Sequence, residues 1–91
     1  HARPSALDGI PKHLPALARA EKLVKKARKA ALLDVPTSPL KLTRKQVAEN
    51  LFDMAFYAQA KGWSAEELLR TEVKRRERRL RKNEGSRPKS D

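Results

Sequence analysis

The chain predicts an all-α fold of three main helices. Three features carry that expectation: apolar residues recurring at steps of three and four, two capping-box signatures, and a Gly-Trp-Ser link too short to join anything but adjacent elements. Residues 1–13, HARPSALDGIPKH, hold Pro4, Gly9 and Pro11 without periodicity and read as an extended lead-in, with Leu7 and Ile10 as the side chains to dock on the body. Pro15 suits a first helical turn, and Leu14, Leu17, Ala20, Val24, Ala27 and Ala31 then predict a first helix over 14–31. Its other faces carry Arg19, Lys22, Lys25, Lys26, Arg28 and Lys29 against Glu21 alone. Two prolines in LLDVPTSPLKL, Pro36 and Pro39, make residues 32–42 a connector.

Thr43 and Gln46 form a capping box, so a second helix is expected over 44–61. Gly62 supplies the left-handed residue that closes it. Ser64 and Glu67 then open a third helix, expected to reach about 82, and the tight link predicts a central αα-hairpin with Trp63 at its bend. Residues 14–82 thus make the helical domain, and NEGSRPKSD, 83–91, is expected to be a disordered basic tail. Helix two is apolar almost all round, which predicts an interior rod packed on several sides. Two narrow neighbouring stripes cannot cover it, so a bundle completed by homo-oligomerisation is expected.

Ninety-one residues allow one domain, and 22 Lys and Arg against 11 Asp and Glu give a formal charge of +11, which calls for an anionic partner. Zero Cys excludes disulfides, thiolate metal sites and cysteine nucleophiles. No apolar run approaches the roughly 18 residues of a membrane span, and the basic start lacks a secretory apolar stretch. The expected setting is the cytoplasm, without a membrane partner.

Candidate chemistry is sparse. Glu49 and Asp53 stand four residues apart on helix two with Gln46 on the same stripe; such spacing can bring two oxygens to one Mg²⁺, or leave two solvated carboxylates. His1 and His13 have no acidic neighbour suited to base catalysis, and no nucleophile elbow or Gly-rich phosphate loop exists. The run EVKRRERRLRK, 72–82, carries seven basic residues and two acids. Arg75, Arg78, Arg79 and Lys82 fall on one side of a helix and are the candidate phosphate contacts; a solvated helix end is the competing account. Net +11 and LTRKQVAENL also admit a nucleic-acid-binding module, although helix two is long for a helix-turn-helix and the basic runs lack interleaved aromatics.

The runs SALDGIPKHLPALARAEKLVKKARKA, 5–30, and AENLFDMAFYAQAKGWSAEELLRTEVKRRERRLR, 48–81, resemble the C-terminal domain of MazG, the nucleoside triphosphate pyrophosphohydrolase family. The resemblance lies in a Leu-Asp-Gly-Ile-Pro stretch before Leu-Pro-Ala-Leu and a basic helix, then a Gly bend, a Ser-x-Glu-Glu helix start and a closing Glu-Arg-Arg-Leu-Arg. It implies an all-α hydrolase, paired subunits, Mg²⁺ dependence and cleavage of nucleoside triphosphates to monophosphate and pyrophosphate. Departures from the family pattern cut against catalysis here. The family's Glu-Glu-x-x-Glu helix is replaced by the connector, whose acid is Asp34, and its following Glu-x-x-Asp falls on Gln46 and Glu49. On helix three a family Asn falls on Val73, a Lys on Arg75 and a Phe on Arg76. The resemblance therefore implies a degenerate C-terminal copy, or a fragment, which keeps Glu49 of the family's metal contacts, with Asp53 a candidate by spacing alone and the triphosphate bound by the parent enzyme.

Overall fold

A computed structural model describes residues 5–33 and 41–86. Within them lie three helices, α1 (Ala16–Lys29), α2 (Arg44–Ala60) and α3 (Ala65–Ser86), and no strand. The all-α expectation holds. Among the described residues no helix is long and apolar enough to cross a membrane.

The core is the seam between α1 and α3, closed by the lead-in. Leu7, Leu23, Ala27, Val73 and Leu80 form one buried cluster, with Ile10, Ala20, Leu32 and Leu69 packed against it. Leu7 is the largest side chain removed completely from water, so the lead-in belongs to the core. A turn holds it there: Asp8 N–H donates to the Ser5 carbonyl at 3.1 Å, and the Ser5 N–H donates back to Asp8 Oδ2 at 3.0 Å.

The buried stripe of α1 is Ala16, Arg19, Leu23 and Ala27, rotated from the expected one; Leu17 and Val24 are each 44% exposed. A cation can sit on the buried face because α3 presents Glu77, whose Oε1 accepts from Arg19 Nη2 at 3.2 Å. The helix begins at Ala16 rather than Leu14. Pro15 at its N-cap has no side chain able to cap, and Glu66 from α3 fills the gap by accepting the Ala16 N–H at 2.7 Å.

At its other end α1 stops two residues before the expected position. Ala31 takes φ +60° while the Leu32 N–H donates to the Ala27 carbonyl and the Ala31 N–H to that of Arg28, a Schellman closure built without glycine. The motif turns Leu32 onto the core.

Helix α2 starts as predicted. Thr43 Oγ1 accepts from Gln46 N–H at 3.1 Å and Gln46 Oε1 accepts from Thr43 N–H at 2.9 Å, completing the capping box. Gly62 at φ +80° ends it, with the Trp63 N–H bonded to the Ala58 carbonyl and the Gly62 N–H to that of Gln59. At Ser64 only half a box forms: its Oγ accepts the Glu67 N–H, whereas the Glu67 carboxylate turns to Arg70.

Two expectations change. Helix α2 is peripheral within this chain, with Ala58 its one buried residue among those described. The apolar stripes of α1 and α3, with Leu7 and Ile10, satisfy one another and leave α2 a short contact near the hairpin bend. The expected tail begins as helix: α3 runs to Ser86 because Glu84 is anchored, its Oε1 accepting from Ser5 Oγ at 2.7 Å and its Oε2 from the Ala6 N–H at 2.9 Å. Residues 87–91 lie outside the described segments, as do His1 and the connector residues 34–40.

Replacing Ala31 by glycine removes the left-handed penalty while keeping the Schellman bonds. Ala31→Gly is expected to stabilise the chain by about 1 kcal/mol, read as a raised urea midpoint at unchanged slope.

Candidate functional site

The chemistry-bearing residues fall into two groups on different helices. Glu49 and Asp53 sit one turn apart on α2, both exposed, beside a shallow hollow lined by Ala48, Asn50 and Phe52. Neither has a hydrogen-bond or ion-pair partner among the described residues. Gln46, the third oxygen of the expected stripe, is committed to capping Thr43. Asp34 lies outside the described residues.

This donor set does not fit a magnesium site. Mg²⁺ demands six oxygens in near-octahedral array, and two solvent-facing carboxylates on one helix leave most of that shell to water. Among the described residues no group of three or more His, Cys, Asp or Glu side chains could hold a metal ion. His13 is exposed. No hydrolytic step is therefore routed through an ion here.

The basic ridge of α3 is partly spent inside the fold. Arg75 grips Glu72 through both Nε and Nη2, at 3.1 and 2.8 Å, and Arg76 Nε donates to the same carboxylate at 2.6 Å. Those two guanidinium donors hold the Glu72 carboxyl down to about 2. Arg81 is committed twice, to Glu77 Oε2 at 2.9 Å and to Asp8 Oδ1 at 3.0 Å, and both bonds raise its pKa further above the ordinary guanidinium value. The chain Arg19–Glu77–Arg81–Asp8 thus stitches α1, α3 and the lead-in together. Arg78 and Arg79 are exposed and have no carboxylate partner among the described residues; Lys82 is exposed too.

No family model, curated protein or solved structure matches the chain. Geometry must then rank the candidates. Arg75, Arg78, Arg79 and Lys82 share the exposed outward side of α3, as their spacing predicts, so a phosphate there would meet cations from a single helix. Arg79 borders the groove beside the seam lined by Val24, Leu32, Leu33, Leu69 and Arg76.

Sequence reasoning missed Arg19, Glu66, Glu77 and Glu84 as structural ionic and capping groups. Helical spacing was the available signal: Glu77 and Glu84 follow Val73 at steps of four and seven, on the buried side.

The lead-in contacts carry a pH dependence. The Arg81 guanidinium, then the Ser5 N–H, lower the Asp8 pKa below its ordinary 3.8, and the Ser5 hydroxyl and Ala6 N–H lower that of Glu84 below 4.5. Carboxyls depressed in the folded state add stability above their unfolded values and lose it as pH falls through the folded ones. The urea midpoint is expected to drop on acidification below about pH 4.5, and Asp8→Asn with Glu84→Gln to flatten that dependence.

Proposed function

We propose that this chain is a non-catalytic assembly module of a MazG-type nucleoside triphosphate pyrophosphohydrolase, working as a homo-oligomer. One observation carries the assembly reading: on α2 and the adjoining bend Phe52 is 73% exposed, Met54 71%, Phe56 66%, Tyr57 59% and Trp63 52%. Isolated apolar residues on a surface are ordinary, but five large ones on one helix and its bend mark an interface. The side chains are also pre-ordered. Tyr57 and Trp63 pack edge-tilted with ring centroids 6.2 Å apart, and Lys61 Nζ sits 5.5 Å from the Tyr57 ring.

The attribution to the pyrophosphohydrolase family rests on the motif resemblance at 5–30 and 48–81. The non-catalytic reading rests on the carboxylate inventory: hydrolysis of a triphosphate needs an ion clamped by several acids, and this chain brings Glu49 and Asp53. Triphosphate and Mg²⁺ belong, in this reading, to the parent enzyme in the cytoplasm.

Sedimentation equilibrium is expected to give at least a dimer, and magnesium-dependent pyrophosphate release by the chain alone is expected to stay at background. A monomer at tens of micromolar would remove the assembly role; turnover would remove the non-catalytic one.

A second reading, a nucleic-acid-binding module, is favoured by Lys22, Lys25, Arg28 and Lys29 on the exposed side of α1, which have no carboxylate partner among the described residues. If those cations meet phosphates, gel-shift affinity should fall by orders of magnitude between about 50 and 200 mM salt. Salt-insensitive or absent binding leaves the assembly reading standing alone.

A further inference from the structure

Two surfaces of this chain are unfinished, and they are complementary. The first is a groove of about 360 Å³ along the α1–α3 seam, floored by Leu23, Leu69, Val73 and Leu80. Its charged rim is Arg76, Arg79 and Glu72, but Glu72 is already neutralised by Arg75 and Arg76, so the rim is cationic overall. The second is the outer side of α2, where Phe52 and Phe56 form a ridge one turn long. Glu49 and Asp53 form the adjacent row, also one turn long, and they are the only carboxylates on α2.

Charge decides what can occupy the groove. A chain of net +11 repels its own copies over most approaches: α1 carries six cations against Glu21, and the outward side of α3 carries Arg75, Arg78, Arg79 and Lys82. Past Arg44 and Lys45, α2 has no cation and two anions, so it is the helix that can approach that rim in a second copy without repulsion. The spacing agrees. Arg76 and Arg79 stand three residues apart and Glu49 and Asp53 four, and both steps put side chains about 5–6 Å apart on a helix.

We infer that a second copy of this chain fills the groove, its Phe52–Phe56 ridge inserted over Leu69, Val73 and Leu80 and its Glu49 and Asp53 paired with Arg76 and Arg79 across the interface. The inference rests on the assembly reading and specifies it. Because each chain owns one ridge and one groove, a two-fold axis satisfies both at once, giving a closed dimer with two equivalent contacts. Apolar burial provides the affinity, and the four-charge cluster fixes which way the ridge lies.

The test uses two reversed variants of the whole chain. In Glu49→Arg/Asp53→Arg both the ridge row and the groove rim are cationic; in Arg76→Glu/Arg79→Glu both are anionic. Each alone is expected to lose self-association by at least about a hundredfold, since like charges are then placed opposite one another at both contacts. Mixed in equal amounts, the two are expected to form a heterodimer of wild-type affinity, because both of its contacts then join opposite charges. Circular dichroism of each variant separates a folding failure from a lost contact, and Arg79→Glu alone, which leaves the Arg76–Glu72 pair in place, gives a milder second probe.

The alternatives give different patterns. If α2 pairs with α2 of the other copy, Arg76→Glu/Arg79→Glu still dimerises, which overturns the groove assignment and keeps the assembly reading. If the wild-type chain is monomeric, both fall. If both variants dimerise like wild type, the oligomer uses another surface and the ridge–groove pairing is wrong.

Discussion

The buried contact between Arg19 and Glu77 is the constraint around which the rest of the chain is arranged. Arg19 is 8% exposed, and a guanidinium so far from water survives only beside a counter-charge. Its Nη2 has Glu77, while its buried Nε has no hydrogen-bond partner among the described residues. Glu77 in turn holds Arg81, and Arg81 holds Asp8. One polar thread therefore fixes the register of α1 against α3 and draws the lead-in over the seam, where Leu7 seals the apolar cluster. Removing Glu77 would strand the buried guanidinium of Arg19, a loss of roughly 3–5 kcal/mol against a total stability of about 5–15, whereas removing Arg19 leaves Glu77 its second partner, Arg81.

This arrangement explains how a chain with so little apolar material folds at all. The seam is narrow, with the small residue Ala27 in its buried cluster, and much of its perimeter is closed by hydrogen bonds that carboxylates accept rather than by hydrocarbon. Glu66 caps α1 from α3, and Glu84 caps the turn that presents Leu7. The acids of α3 are thus used inward or along the helix, to balance cations that would otherwise repel one another, and the outward cations remain in water.

How much of this could be read from the amino-acid order depends on the range of the interaction. The capping box at Thr43, the left-handed Gly62 and the docking of Leu7 and Ile10 were legible because each is a local event or an unavoidable burial. The rotated stripe of α1 was not, since an arginine on the buried face makes sense only once Glu77, 58 positions away, is known to lie opposite. The same holds for Glu84, whose partners at Ser5 and Ala6 turn an expected loose tail into a last helical turn. Helix α2 failed for another reason. Its apolar circumference was read as the mark of an interior rod, but periodicity cannot say what covers a helix, and within this chain most of that surface is exposed. At the candidate site, the spacing of Glu49 and Asp53, the spacing of the basic ridge and the commitment of Gln46 to the cap were legible; the diversion of Arg75 into Glu72 was not.

The distribution of charge bears on how the proposed dimer would form. A surface that is cationic nearly everywhere is a form of protection against unwanted association, because most random encounters between copies bring like charges together within a Debye length of about 8–10 Å. Such a surface leaves α2 as the one helical face on which apolar contact is not opposed by electrostatic work. Phe52 and Phe56 would be an aggregation liability on a neutral protein, free to stick in any orientation. In the proposed dimer the surrounding cations would narrow the allowed approaches to those that bring Glu49 and Asp53 against arginine, so the same excess charge that weakens the monomer would select the geometry of the assembly.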